Sequence, residues 1–289
     1  MSTLWQNIQT KVLRSGSKLN LLIGINVAVF LLINITQVFA KTFFNTNIIK
    51  YYSQEYLLLP ASLPKLLTHF WTPVTYMFMH ADIWHILFNM LWFYWFGQIF
   101  EEYLGKKRTL GLYFMGGLAG AFLFVFSYNV FPIFTHTNEA ATNVLLGASA
   151  SVMAIMVATA TLLPDYTISL ILIGPVKLKW LVLFFIILDF LGITGLNAGG
   201  ELSHLGGALV GFLYIKQLQK GNDWIGNITK LFKPQPKLKV VSNNQSRKAY
   251  DLPRQEEIDL ILDKISRSGY DSLSKQEKEI LFRASNNEG

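Results

Sequence analysis

Three short stretches of this chain carry side chains equipped for acyl transfer. His85-Ile-Leu-Phe-Asn89 sets an imidazole and a carboxamide four residues apart, which on a helix is one face, one turn apart. Gly147-Ala-Ser149-Ala-Ser151 puts a hydroxyl at the start of an apolar run. Ser203-His204-Leu-Gly206-Gly207, continuing to Gly211, puts a second imidazole at the start of another. A serine needs a base to take its proton, and the tetrahedral intermediate needs donors for its oxyanion; histidine, carboxamide and free backbone amides supply both. A lone serine in an apolar helix is usually back-bonded or a packing residue, and Ser151 is read that way. A lone histidine is usually a satisfied packing residue or a metal ligand. Neither His85 nor His204 has a carboxylate at the right depth for a zinc site except Glu201, so no metal is expected.

The elements that must position these residues are membrane spans. Of the 289 residues 52% are hydrophobic and only 15% charged, against about 25% charged in soluble domains, so lipid is the expected solvent. A spanning helix needs roughly 20 mostly apolar residues. Candidates run from Leu19 to Ala40, Asp82 to Phe100, Thr109 to Phe131, Ser149 to Leu163, Leu178 to Ile193 and Leu202 to Leu218, an all-α polytopic bundle of six helices. Ile168 to Ile173 reads as a buried turn or half-helix beside the short fourth and fifth spans. The first span follows Lys11, Arg14 and Lys18 without a small-residue cleavage site, so it reads as an anchor rather than a signal peptide.

Charge sets the expected orientation, because Lys and Arg collect on the cytoplasmic side of short loops. The basic lead, Lys106-Lys107-Arg108, Lys177 with Lys179, and Lys216 with Lys220 fall on one side of a six-span chain, which makes both termini cytoplasmic. The loops at Pro132 to Gly147 and Thr194 to Glu201 then lie outside, as does Lys41 to Ala81, which at about forty residues is too long for a plain connection and reads as partly membrane-embedded. The second, fourth and sixth spans enter from outside. His85, Asn89, Ser149 and His204 therefore share nearly one depth, about 10 Å below the outer surface. Gly207 and Gly211 form a small-xxx-small pair that lets the His204 helix approach a neighbour closely, the Ser149 helix being the natural one.

With no cysteine, disulfides, thiolate metal sites and cysteine nucleophiles are excluded. The net charge of +7 marks a cytoplasmic membrane surface rather than nucleic-acid binding. The expected organisation is a lead over 1–18, a membrane domain over 19–220, a cytoplasmic linker over 221–250 and a small helical extension over 251–289. In the extension an amphipathic helix around Ile258 to Ile265 precedes a second one from Ser274 to Arg283 that opens with a capping signal; the pair is too small for its own core and its partner is unknown.

On Gly147 to Ser149, His204 with Gly207 and Gly211, and His85 with Asn89, the chain resembles the rhomboid family of intramembrane serine proteases over roughly residues 15 to 220. The resemblance implies a Ser149/His204 dyad without a third carboxylate, and an oxyanion hole made by the Ser149 amide with the His85 and Asn89 side chains. It implies a structural role for Glu101, a bacterial type carrying a C-terminal extension, and a plasma-membrane location. It calls for no cofactor, for lipid and single-span membrane proteins as partners, and for no nucleic acid. The chain departs from the family pattern at Ala150, where glycine is usual, at Met153, where tyrosine often stacks on the dyad histidine, and at Thr72, where an arginine follows the loop tryptophan. The alternative is a non-catalytic rhomboid-like scaffold or chaperone, against which stands the presence of both Ser149 and His204. A transporter is disfavoured because no polar track reaches the cytoplasmic half; Asp189 in the fifth span is read as a buried hydrogen-bond partner.

Overall fold

The computed structural model describes residues 16–137, 139–170, 174–231 and 255–285, which form two compact units divided between Lys233 and Pro234. Lys11, Arg14, Ile171 to Ile173 and most of the expected linker, from Phe232 on, lie outside the described residues.

The first unit is helical. Helix α1 (Lys18–Phe44) starts on a Ser17 cap whose side chain accepts from the Asn20 amide. Its outer face is apolar and exposed at Leu32, Ile35, Val38 and Phe39, as lipid contact requires. Between α1 and the His85 helix the chain packs α2 (Ile48–Leu57), strand β1 (Leu59–Pro60), α3 (Leu63–Thr68) and α4 (Thr72–Thr75). Helix α5 (Ile83–Leu104) is capped by Asp82, whose carboxylate accepts from the amides of Trp84 and His85. Gly105 turns the chain into α6 (Lys106–Val130), and the short α7 (Pro132–Thr135) and strand β2 (Val144–Leu145) lead to α8 (Ser149–Leu162). Helices α9 (Leu178–Gly192) and α10 (Ala198–Gln219) complete the bundle. Helices α1 and α6 are by themselves long and apolar enough to cross a bilayer, and α8 is a shorter apolar helix.

Helix α8 is the hub. Every residue from Ala150 to Ala160 is buried, and α5, α6, α9 and α10 all pack against it. Its alanines admit close neighbours, and α10 comes closest. A Cβ at Gly207 would overlap the Ala150 carbonyl oxygen, and one at Gly211 would overlap that of Ala154. Because the obstacle is backbone, it cannot rotate away. Gly207→Ala is therefore expected to lower stability by about 1–3 kcal/mol, the usual cost of overpacking. Thermal unfolding in detergent reads this directly, and an unchanged transition would show that α10 slides freely on α8.

The loop region is tied to the hub rather than draped over it. Strands β1 and β2 pair antiparallel, Leu59 opposite Leu145 and Pro60 opposite Val144. The Gly147 amide donates to the Tyr76 carbonyl, the Tyr76 hydroxyl to Gly117 and the Tyr113 hydroxyl to Met77. Glu101 accepts from the Leu19 amide at 2.9 Å, joining the start of α1 to the end of α5.

Two segments differ from expectation. Between α8 and α9 the described residues form two antiparallel strands, β3 (Thr167–Leu170) with β4 (Gly174–Lys177), where a buried turn or half-helix is expected. The alternation Thr-Ile-Ser-Leu, half-buried at Ile168 and Leu170, is a strand pattern that a count of apolar residues conceals. At the base of this strand pair Lys179 and Lys177 hold the Asp165 carboxyl below the usual carboxylate range. Secondly, the expected linker begins with a helix, α11 (Trp224–Leu231), in which Ile225 is buried against Gly111. Asp223 anchors it by accepting from the Gly226 amide, Arg108 and the Tyr214 hydroxyl, contacts that keep its carboxyl below the usual range despite partial burial.

The second unit is a helix pair, α12 (Gln255–Ser268) and α13 (Lys275–Ser285). Ser274 and Glu277 cap α13 reciprocally, each amide donating to the other's side chain. The Lys264 ammonium, and next the Ser274 bonds, pull the Glu277 carboxyl down to about 2.

Candidate active site

Ser149 is the first residue of α8, so its own amide and those of Ala150 and Ser151 have no carbonyl within the helix to bond to. Gly147, two residues earlier, has φ +121°, a backbone conformation that favours glycine. Space requires glycine there as well. A Cβ at Gly147 would lie 2.9 Å from His85 Nε2 and 3.4 Å from Ser149 Oγ, so the two side chains converge over the bare Cα.

The His85 ring is fixed from two sides. The Ala81 amide points at Nδ1 at 3.4 Å, and the His80 ring packs edge-on at 5.1 Å between centroids. With Nδ1 accepting, Nε2 carries the hydrogen and is a donor toward Ser149. Asn89, one turn along α5, donates one amide hydrogen to the His85 carbonyl at 2.9 Å, leaving its second for the cavity.

His204 enters from α10, which begins at Ala198, a turn earlier than hydropathy indicates. Its Nδ1 lies 2.9 Å from Asp189 Oδ1 on α9 and 3.6 Å from Glu201 Oε2 on its own helix. Two expectations are corrected here. The resemblance implies no carboxylate beside the histidine, whereas Asp189 lies against its Nδ1 because α9 packs on α10; and Glu201 is not the single acid at this depth. Asp189, Glu201 and His204 present ligand-type atoms within 4.8 Å of one another, close enough for a cation. The shortest separation, however, is a hydrogen-bond length that commits Nδ1 to Asp189.

Two cavities bring the residues together. One of about 420 Å³ is lined by His85, Asn89, Tyr128, Ser149, Asn197 and His204. The other, of about 180 Å³, lies among α5, α8 and α9 and is lined by Trp92, Ser149, Met153, Phe185, Asp189 and His204. Among the described residues no hydrogen bond links Ser149 to His204; both line the same two cavities. A larger groove of about 460 Å³ between α3 and α6 is lined by Leu59, Leu63, Phe122, Val125 and similar side chains and holds no ionisable group.

The departures noted in the sequence have local explanations. The Ala150 methyl packs toward Gly120 on α6, away from both cavities, while Met153 occupies the cavity wall beside His204. Thr72 is buried and its hydroxyl donates to the His69 carbonyl, and the neighbouring Trp71 indole donates to Tyr56. His80, which packs against His85, is not among the residues the sequence motifs single out. Its signal is a histidine five residues before His85, with Asp82 between them.

Residues 67–220 match the Rhomboid domain, and residues 246–287 match a Family of unknown function (DUF6576). The chain is 34% identical over 165 residues to "RHOMBOID-like protein 12, mitochondrial" of Arabidopsis thaliana, a match covering 52% of this chain and 47% of that one. It is 32% identical over 145 residues to "Presenilin-associated rhomboid-like protein A, mitochondrial" of Danio rerio, covering 48% and 35%. The chain thus spans about half or less of the length of these curated relatives. Both are mitochondrial proteins by name, and the bacterial affinity expected from the tail is carried by neither.

Proposed function

The chain belongs to the rhomboid family of membrane proteins, and from that premise we propose that it is an intramembrane serine endopeptidase in which Ser149 attacks and His204 is the base. The observation that carries this reading is the meeting of Ser149, His204 and Asn89 on two shared cavities, with the His85 Nε2 over Gly147. In the reaction His204 Nε2 takes the Ser149 hydroxyl proton as Oγ bonds to the scissile carbonyl carbon. The carbonyl oxygen becomes an oxyanion facing the Ser149 amide, His85 and Asn89. His204 then returns the proton to the leaving amine as the C–N bond breaks, and water attacks the acyl ester by the same route.

Six spans are proposed for the membrane domain: α1, α5, α6, α8, α9 and α10. Helix α8, with 14 residues, is about 21 Å long, roughly 9 Å less than the hydrocarbon core. Anchored at the far interface, its Ser149 end is recessed by that amount, which leaves room for a water-filled cavity above it. The proposed orientation has both termini on the cytoplasmic side, a reading supported by the distribution of Lys and Arg.

A substrate helix hides its carbonyls in internal hydrogen bonds, so it must unwind to react. The second cavity, opening between Trp92 of α5 and Phe185 of α9, whose rings meet edge to face at 5.0 Å, is the proposed lateral entrance. Single-span proteins with small or helix-breaking residues near the outer end of the span are therefore the expected substrates. In proteoliposomes, a run of leucines at that place should suppress cleavage by at least about tenfold, and Gly or Pro should raise it. A cysteine replacing the fully exposed Leu196, in a chain with none of its own, should react with a membrane-impermeant thiol reagent from outside. Cuts at the cytoplasmic end of the span, or labelling of that cysteine from the cytoplasmic side, contradict the proposed topology.

A further inference from the structure

We propose that Asp189 is a positioning residue for the base: its carboxylate holds His204 through Nδ1 and aims Nε2 at Ser149. This rests on the reading of Ser149 as nucleophile and His204 as base.

Helix α9 exposes most of its large apolar side chains. Trp180, Phe184, Ile187, Leu188, Phe190 and Leu191 are all exposed, and its buried residues are Leu178, Leu181, Val182 and Asp189. The inward face is thus apolar at one end and carries a carboxylate at the other, two turns beyond Val182. Packing alone calls for a leucine there, because a carboxylate inside a membrane bundle is costly unless it has a specific partner. The partner is His204 Nδ1, at 2.9 Å, with only 10% of the Asp189 side chain and 19% of the His204 side chain exposed.

The surroundings fit that bond. Gly192, three residues after Asp189, leaves the space into which Glu201 lies; a Cβ there would meet Glu201 Cγ at 2.9 Å. Glu201 Oε1 accepts from the Asn197 amide group at 3.1 Å, while its Oε2 stays 3.6 Å from Nδ1. Glu201 therefore adds negative charge beside the imidazole from farther away than Asp189.

The chemical consequence is definite. A hydrogen on Nδ1 donated to Asp189 leaves the Nε2 lone pair free to take the Ser149 proton. When the Oγ–H bond breaks and the imidazolium forms, its positive charge sits against the Asp189 carboxylate in a water-poor site. The proton leaves again from Nε2 to the amine nitrogen, and Asp189 ends the cycle as it began.

The test compares full-length wild type, Ser149→Ala, and Asp189→Asn, Asp189→Ala and Asp189→Glu in proteoliposomes with one single-span substrate. Asp189→Asn should lower kcat by about 10²–10⁴-fold, the scale seen when the acid of a serine-protease triad is neutralised, with KM changed by less than about twofold. Asp189→Glu should recover at least about tenfold of that loss, and the Asn and Glu variants should unfold at similar temperatures. A wild-type kcat in Asp189→Asn, or losses that track unfolding temperature with no recovery by Glu, would overturn the proposal while leaving Ser149 and His204 in place. Cleavage persisting in Ser149→Ala would instead overturn the reading beneath it. Inhibition of wild type by micromolar zinc chloride that both Asp189→Asn and Glu201→Gln abolish would overturn the positioning role by making the trio a cation site.

Discussion

Ser149→Ala and His204→Ala are each expected to lower cleavage of a single-span substrate by at least about 10⁴-fold, and the double variant by no more than either alone. The non-additivity follows from the chemistry. Without the hydroxyl there is nothing for His204 to deprotonate, and without the imidazole the hydroxyl is a poor nucleophile. The two variants should differ in stability. Ser149 is half-buried at a cavity wall, so its loss should leave unfolding nearly unchanged. Removing His204 strands the Asp189 carboxylate and should cost about 1–3 kcal/mol, the usual penalty for a buried polar group that loses its partner. Metal chelators should leave wild-type cleavage unaltered. Additive losses, or cleavage surviving in Ser149→Ala, would remove the pair from the mechanism.

The next largest effects are expected at the oxyanion donors. Losing one such donor costs about 2.7–4 kcal/mol in the transition state, or roughly 100- to 1,000-fold in rate. His85→Ala should fall toward the upper end. Its Nε2 hydrogen faces Ser149 across Gly147, and its ring is held by Ala81 and His80 with no competing use. Asn89→Ala should fall near the lower end, because one of its two hydrogens is already spent on the His85 carbonyl. KM should change little in both, since the oxyanion does not exist in the bound substrate. Initial rates at saturating substrate measure this; unchanged kcat in both variants would show that the backbone amides at the start of α8 suffice.

Much of this site is legible in the sequence because the bilayer makes polar residues conspicuous. His85 with Asn89, Ser149 and His204 stand out against apolar neighbours, and Gly207 with Gly211 announce a close helix crossing. Helix boundaries follow from hydropathy to within a turn, with Asp82 and Ser149 marking two of the starts. Asp189 is equally conspicuous in the sequence and reads as a hydrogen-bond partner. Its partner, His204, is not legible there, since the two are separated by a helix end, a loop and the start of another helix, and only the packing of α9 on α10 relates them. The β3–β4 pair is obscured because a four-residue strand and a half-helix have the same composition. The start of α11 was hidden by the Gly221-Asn222 break before it, which reads as the beginning of a linker.

The central claim is that Ser149 is an activated nucleophile, and covalent labelling tests it most directly. Full-length protein in detergent is treated with a fluorophosphonate, digested, and the adduct located by mass spectrometry. The account predicts a single adduct on Ser149, weakened in Asn89→Ala and absent in His204→Ala. An adduct on Ser151 or elsewhere, or labelling of Ser149 that is indifferent to the loss of His204, would contradict it.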